Sequence, residues 1–184
     1  YEKRENTDDT EIARGLLNKA IELDDDLIIA KVFLGWTYSE MGDYDKAMEI
    51  YENSLKQAKE LKNKKVITSF LNGIGAIWSD KGDYDRALDY HEQSFKISEE
   101  LGDKNGIGGS LTNIATIYYY KSDYDTALYY FTRSLKIFED LGMRRNVAKN
   151  LGNIAVINMR KGDYDNGLDY HDRALKIYEE LGDK

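Results

Sequence analysis

Acidic pairs recur along this chain with one residue between them: Asp43 and Asp45, Asp83 and Asp85, Asp123 and Asp125, Asp163 and Asp165. Each pair brackets a tyrosine, in GDYD at 42, 82 and 162 and in SDYD at 122. Two carboxylates so placed can ligate a divalent cation, provided further oxygens converge on it from other segments. They can equally serve a helix start, where a side-chain oxygen accepts from free N–H groups and negative charge meets the positive helix end. The copies stand 40 residues apart every time, so they fall on successive units and not on one site. The helix-start reading follows. Gly42 suits the left-handed residue that ends one helix, Asp43 caps the next, Asp45 lies in its first turn, and Tyr44 faces the packed side.

Other chemistry-bearing residues are few. His91 and His171 are the only histidines, at matched places 80 residues apart, where Tyr51 and Phe131 stand in the other copies; a partly buried packing role fits them better than a ligand or a base. With no cysteine there is neither a thiolate metal site nor a thiol nucleophile, and no metal site or cofactor is expected. Asn105-Gly106-Ile107-Gly108-Gly109 is glycine-rich but follows no strand and lacks the lysine and Ser/Thr of a phosphate loop; it reads as a turn with a mobile helix start. No catalytic constellation emerges, so an enzyme is not expected. A net charge of −8 disfavours duplex nucleic acid and anionic membrane surfaces as partners. No apolar run approaches the ~20 residues of a membrane span. The missing signal-like segment points to the cytoplasm, and Tyr1 at the start points to an excised piece of a longer protein.

The elements that carry these residues repeat as well. Residues 82–104 and 162–184 agree at 16 of 23 positions, and a second marker recurs as Leu101-Gly102-Asp103, Leu141-Gly142-Met143 and Leu181-Gly182-Asp183. Each unit therefore holds two stretches and two turns. Leu111, Ile114, Ala115 and Tyr118 share one helical face, as do Ala127, Phe131, Ser134, Leu135 and Phe138. Small residues recur at Gly35, Gly75, Ala115 and Ala155, and again at Ala47, Ala87 and Ala127, which lets the two helices of a unit approach closely. Zero prolines among 184 residues suits long helices joined by glycine turns. The fold class is all-α, built of stacked helix–turn–helix units.

This pattern resembles the tetratricopeptide repeat family. In the first repeat the family's positions read Leu34-Gly35, Tyr38, Gly42, Tyr44, Ala47 and Tyr51. Ala13, Leu17, Ala20 and Ile21 fit the second helix of a preceding repeat, and Ala13 to Ala47 is 34 residues, the family's usual length; the later units, 40 long, are similar to those of kinesin light chain and of bacterial signalling proteins. The resemblance implies a right-handed superhelical solenoid: a preceding second helix at 9–25, then repeats at 28–62, 63–102, 103–142 and 143–184. It departs from the pattern where Asp25 and the LGD turns replace a proline, and where Gly167 replaces an alanine. Because helical glycine costs roughly 1 kcal/mol relative to alanine, Gly167→Ala is expected to stabilise.

In this family the first helix of each repeat lines a concave groove. Helical spacing puts Phe33, Trp36 and Glu40; Gly73, Ala76 and Asp80; Asn113, Thr116 and Tyr120; and Lys149, Asn153, Val156 and Arg160 on that wall, with Asn72 and Tyr119 at its margin. Aromatic and arginine side chains there are typical interface anchors. The amides of Asn72, Asn113 and Asn153 can donate to and accept from the backbone of an extended peptide, or tie adjacent repeats together; both readings stand. Only Asn113 and Lys149 match the set with which chaperone-binding members hold a terminal carboxylate, so that specialisation is not expected. The expected function is a non-catalytic protein-interaction module binding a peptide or partner domain through Trp36, Asn72, Asn113, Tyr119, Tyr120, Lys149, Asn153 and Arg160. The alternative is a regulatory array controlling an output domain of a larger cyclase, kinase or transcription regulator. Leu175, Ile177 and Tyr178 carry no polar capping pattern, which implies further repeats or self-association through that end.

Overall fold

The computed structural model describes residues 2–23 and 27–182; Asp25 lies outside them. Those residues form nine helices: α1 (Glu2–Leu23), α2 (Ile28–Glu40), α3 (Tyr44–Glu60), α4 (Lys64–Asp80), α5 (Tyr84–Leu101), α6 (Lys104–Tyr120), α7 (Tyr124–Asp140), α8 (Arg144–Arg160) and α9 (Tyr164–Leu181). None of them is long and apolar enough to cross a membrane. The chain divides into two compact units, Tyr1–Ile97 and Ser98–Lys184. Each is built of antiparallel helix pairs.

The elbows explain why the helices stop and restart where they do. Gly42, Gly82 and Gly162 have φ of 79°, 78° and 84°, a left-handed geometry that costs glycine nothing. One residue later the aspartate serves two helices. Asp43 N–H donates to Tyr38 O at 2.9 Å, closing α2, while Asp43 Oδ1 accepts from Lys46 N–H and opens α3. The same double use holds at Asp83, Asp123 and Asp163. Ser122 takes the glycine's place at φ 61°, and Lys62 does so at φ 53° in the second kind of turn. Asn63 and Asp103 cap α4 and α6 there, whereas Met143 opens α8 with no side-chain cap.

At two elbows, those of Asp45 and Asp125, the second aspartate has a role its spacing did not reveal. Lys81 Nζ lies 3.1 Å from Asp45 Oδ1, and Lys161 pairs with Asp125, so adjacent elbows are tied 36 residues apart.

The first unit is centred on Tyr51. Its buried ring lies between α2 and α4, so close that a Cβ on Gly35 would fall 2.2 Å from Cε1 and one on Gly73 2.5 Å from Cε2. Phe70, Leu71, Ile74 and Ile77 complete this core. One repeat later His91 fills the corresponding place, buried, against Gly75. In the second unit Phe131, Leu135, Leu151 and Ile154 pack around Ala115 and Ala127. A buried polar network joins three helices beside them. Asn150 Nδ2 donates to Ser134 Oγ at 2.8 Å, Ser134 donates to Gly108 O at 2.7 Å, and Thr112 Oγ1 donates to Asn150 Oδ1 at 3.1 Å. Each of these groups is thereby satisfied, as burial requires.

Two expectations are corrected. The run Asn105–Gly109 is no turn: it lies inside α6, and the turn is at Gly102, φ 63°. Two of its glycines make room, since a Cβ on Gly106 would meet Ser98 Oγ at 2.6 Å and one on Gly108 would meet Phe138 Cζ at 2.9 Å. Gly167 likewise fills a purpose. A Cβ there would stand 2.7 Å from Met159 Cγ and 3.3 Å from Ala155 O, so alanine does not fit without a shift. The places matching Met159 in the first two repeats hold Ser39 and Ser79, opposite Ala47 and Ala87.

On α9 the outer side differs from its counterpart on α7. Leu168, His171 and Leu175 are exposed, whereas Phe131 and Leu135, at the places matching the last two, are buried beside α8.

Candidate functional site

The first helices of each unit present a solvent-facing row. In the first unit α2 exposes Phe33, Trp36 and Glu40, and α4 exposes Ala76 and Asp80. Partial burial raises the Asp80 carboxyl above the ordinary aspartate range. Asn72, on the margin of this row, is turned inward. Its Oδ1 lies 3.2 Å from His91 Nδ1, so it accepts from the imidazole and ties α4 to α5.

In the second unit the two rows match place for place. On α6 stand Gly109, Asn113, Thr116 and Tyr120; 40 residues on, α8 carries Lys149, Asn153, Val156 and Arg160. Asn113, Thr116 and Asn153 are half-buried, while Tyr120, Lys149, Val156 and Arg160 are exposed. Gly109 has nothing within 4 Å of where a Cβ would be, which leaves that end of the trough open. Between the helices is a cavity of about 240 Å³, lined by Thr116, Tyr119, Tyr120, Phe131, Asn153 and Val156. Tyr119 is held in place by its ring contacts with Tyr120 at 5.6 Å and Tyr124 at 5.9 Å.

Of the eight anticipated residues, the structure thus brings Tyr119, Tyr120 and Asn153 to one cavity. Asn113, Lys149 and Arg160 share the rows that border it. Trp36 and Asn72 belong to the first unit, and Asn72 has a partner already. Thr116 and Val156 were on the anticipated wall as well; Phe131, the floor of the cavity, reads from sequence only as a packing residue.

A second cavity, of about 390 Å³, is bordered by Ile21, Leu34, Ile50 and Gln57 in the first unit, with Lys31 Nζ donating to Gln57 Oε1 at 3.0 Å across it. Nothing in the spacing of these residues announces it. The elbow aspartates take no part in either cavity. Hydrogen bonding from the Lys46 side chain holds Asp43 below the ordinary range, and the Arg86 backbone N–H does the same to Asp83.

A trough of apolar, hydroxyl and amide groups, bordered by two cations, can hold a peptide-like segment. It presents no nucleophile–base pair. Comparison with known proteins agrees with the architecture. Among solved structures of similar fold, BtubC from P. vanneervenii is 22% identical, over 96% of this chain and 74% of that one, with a TM-score of 0.76. A Rap protein complexed with Competence and Sporulation Factor is 19% identical, over 90% of this chain and 47% of its own, at 0.82. A signal-transduction ATPase with a tetratricopeptide repeat sensor, from Pyrococcus horikoshii, is 18% identical, over 95% and 26%, at 0.82. The chain therefore spans less than half of the last two. A search of curated proteins gives no match. The sequence pattern described as tetratricopeptide repeat matches residues 66–140, and a second of the same description matches 32–65. Together they cover more than half of the chain, and the protein belongs to the tetratricopeptide repeat family.

Proposed function

We propose that this protein is a non-catalytic interaction module that binds a peptide or a segment of a partner protein on the exposed rows of its first helices. The observation that carries this reading is the trough between α6 and α8, where Tyr119, Tyr120 and Val156 supply apolar surface and Asn153 and Thr116 supply hydrogen-bonding groups around one cavity. Aromatic anchors beside groups that can satisfy a peptide backbone are what such recognition requires.

Two tyrosines give a matched test. Tyr120 on α6 and Tyr129 on α7 are 53% and 58% exposed, so a photo-crosslinking side chain is equally accessible at either. A partner from the source lysate crosslinks from place 120 and not from place 129. Crosslinking from 129 alone would move the binding surface to the second helices.

A second reading is supported by the likeness to the Rap protein and to the ATPase's repeat sensor. The same rows would then act within a larger regulatory protein, and their occupancy would control an output domain. Output activity of the longer protein, with and without Tyr120→Ala, separates the two. The exposed Leu168 and Leu175 on α9 further support self-association through that side, which sedimentation at rising concentration measures directly.

A further inference from the structure

The chain is acidic overall, yet its charge is sorted by helix in the second unit. All acidic side chains on α6 to α9 belong to α7 and α9; α6 and α8 contain no aspartate or glutamate. Their charged residues are Lys104, Arg144, Arg145, Lys149 and Arg160. Arg144 is occupied by Glu180. Lys149 and Arg160, exposed at the two ends of the outward row of α8, pair with no acidic side chain among the described residues. An exposed cation with a free carboxylate nearby normally finds it. Here the acids are kept on the other helices.

We propose that the trough between α6 and α8 is specific for an acidic segment of a partner protein, held in extended form with an apolar side chain between two carboxylates. The proposal rests on the first-helix rows being the binding surface, as above, and adds the chemistry of what they select. Lys149 and Arg160 are eleven residues apart on one helix, about 16 Å along its axis. Residues i and i+4 of an extended strand are about 13 Å apart and point to the same side, and the reach of the two long side chains covers the difference. The residue midway, i+2, points the same way and meets the cavity lined by Tyr119, Tyr120 and Val156. The selected pattern is therefore acid–x–apolar–x–acid, with the Asn153 amide beside the cavity and Asn113 at the matching place on α6 for the backbone. Because both cations are exposed, the charge contribution weakens with salt.

The test uses the full chain, labelled with ¹⁵N, and a capped heptapeptide, acetyl-Ser-Glu-Thr-Leu-Thr-Glu-Ser-amide. Three relatives accompany it: glutamates replaced by glutamine, glutamates replaced by lysine, and leucine replaced by serine. The glutamate peptide at millimolar concentration should shift amide signals of α6 and α8. Its affinity should fall at least tenfold in Lys149→Gln/Arg160→Gln and at least fivefold between about 50 and 500 mM salt. The lysine peptide should bind at least tenfold more weakly, and so should the serine peptide. Equal binding of the glutamine or lysine peptide on the same amides would overturn the acidic specificity while leaving the binding surface in place. Signals shifting only on α7 and α9, or no shifts with any peptide, would overturn both. A twelve-nucleotide oligouridine that binds the trough more tightly than the glutamate peptide would overturn the choice of a protein ligand.

Discussion

The Nδ1 of His91 lies 3.2 Å from the Oδ1 of Asn72, and the ring is buried against Gly75. The amide oxygen can only accept, so the ring carries a proton on Nδ1 and donates it. Burial pushes its pKa down to about 4.

The sign of the resulting pH dependence follows. The unfolded chain protonates this histidine near 6.5, whereas the folded one resists until about 4. Stability from this group is intact above pH 6.5 and is lost as pH falls towards 4, by about 3 kcal/mol at most. Carboxylates titrate in the same window, so the diagnostic quantity is a difference. His91→Phe should show a shallower decline in unfolding free energy between pH 6.5 and 4 than the parent, measured by urea titration. Equal slopes would show that His91 is solvated in the folded state.

Tyr51 offers a steric prediction. Gly35→Ala places a methyl 2.2 Å from the Tyr51 ring and should cost about 1–3 kcal/mol through forced repacking. Gly152→Ala is the control, since nothing lies within 4 Å of its Cβ and the helix gains up to about 1 kcal/mol from the substitution. Thermal melts should move in opposite directions.

Gly167 and Met159 should behave as a coupled pair. Gly167→Ala alone is expected to lower stability by about 1 kcal/mol, the contact with Met159 outweighing the helix-propensity gain. With Met159→Ser, which restores the pairing seen at Ser39/Ala47, the same change should stabilise by about 1 kcal/mol. A double-mutant cycle measures this reversal; additive effects would show the two residues to be independent.

Two departures from the elbow pattern should be repairable. Ser122 holds φ 61°, and glycine there should stabilise by about 1 kcal/mol. Met143 sits at the start of α8 with the backbone of a cap but no cap bond. Met143→Asp should add about 1 kcal/mol, less the apolar contact removed. Hydrogen exchange in the first turn of α8 reads the second effect locally.

The elbows were legible in the sequence because glycine and aspartate perform there jobs that depend only on neighbouring backbone. The Asn105–Gly109 run was misread for the opposite reason. Gly106 and Gly108 answer to Ser98 and Phe138, side chains of other helices, and local composition contains no trace of them. The asparagines show the same limit within the site. Asn113 and Asn153 share a repeat position, but Asn72 matches Thr112 instead, and one step of helix rotation turns it from the row towards His91. Spacing located Tyr119, Tyr120 and Asn153 near one another; the cavity they share, with Phe131 at its floor, required the packing of three helices.

The three Asn-Gly pairs of this chain have a consequence for its chemical lifetime. In an open chain such a pair ages quickly, because the glycine nitrogen is free to attack the asparagine amide and expel ammonia. Here each of those nitrogens is engaged. Gly106 N–H donates to Asp103 Oδ1 at 3.1 Å, Gly167 N–H to Asp163 O at 3.0 Å, and Gly73 lies inside the hydrogen-bonded ladder of α4. Every opening of these helices therefore exposes a clock. At Asn72 the product would be a carboxylate facing His91, so a molecule that had stayed unfolded long enough to react would carry a lasting charge at the join between α4 and α5.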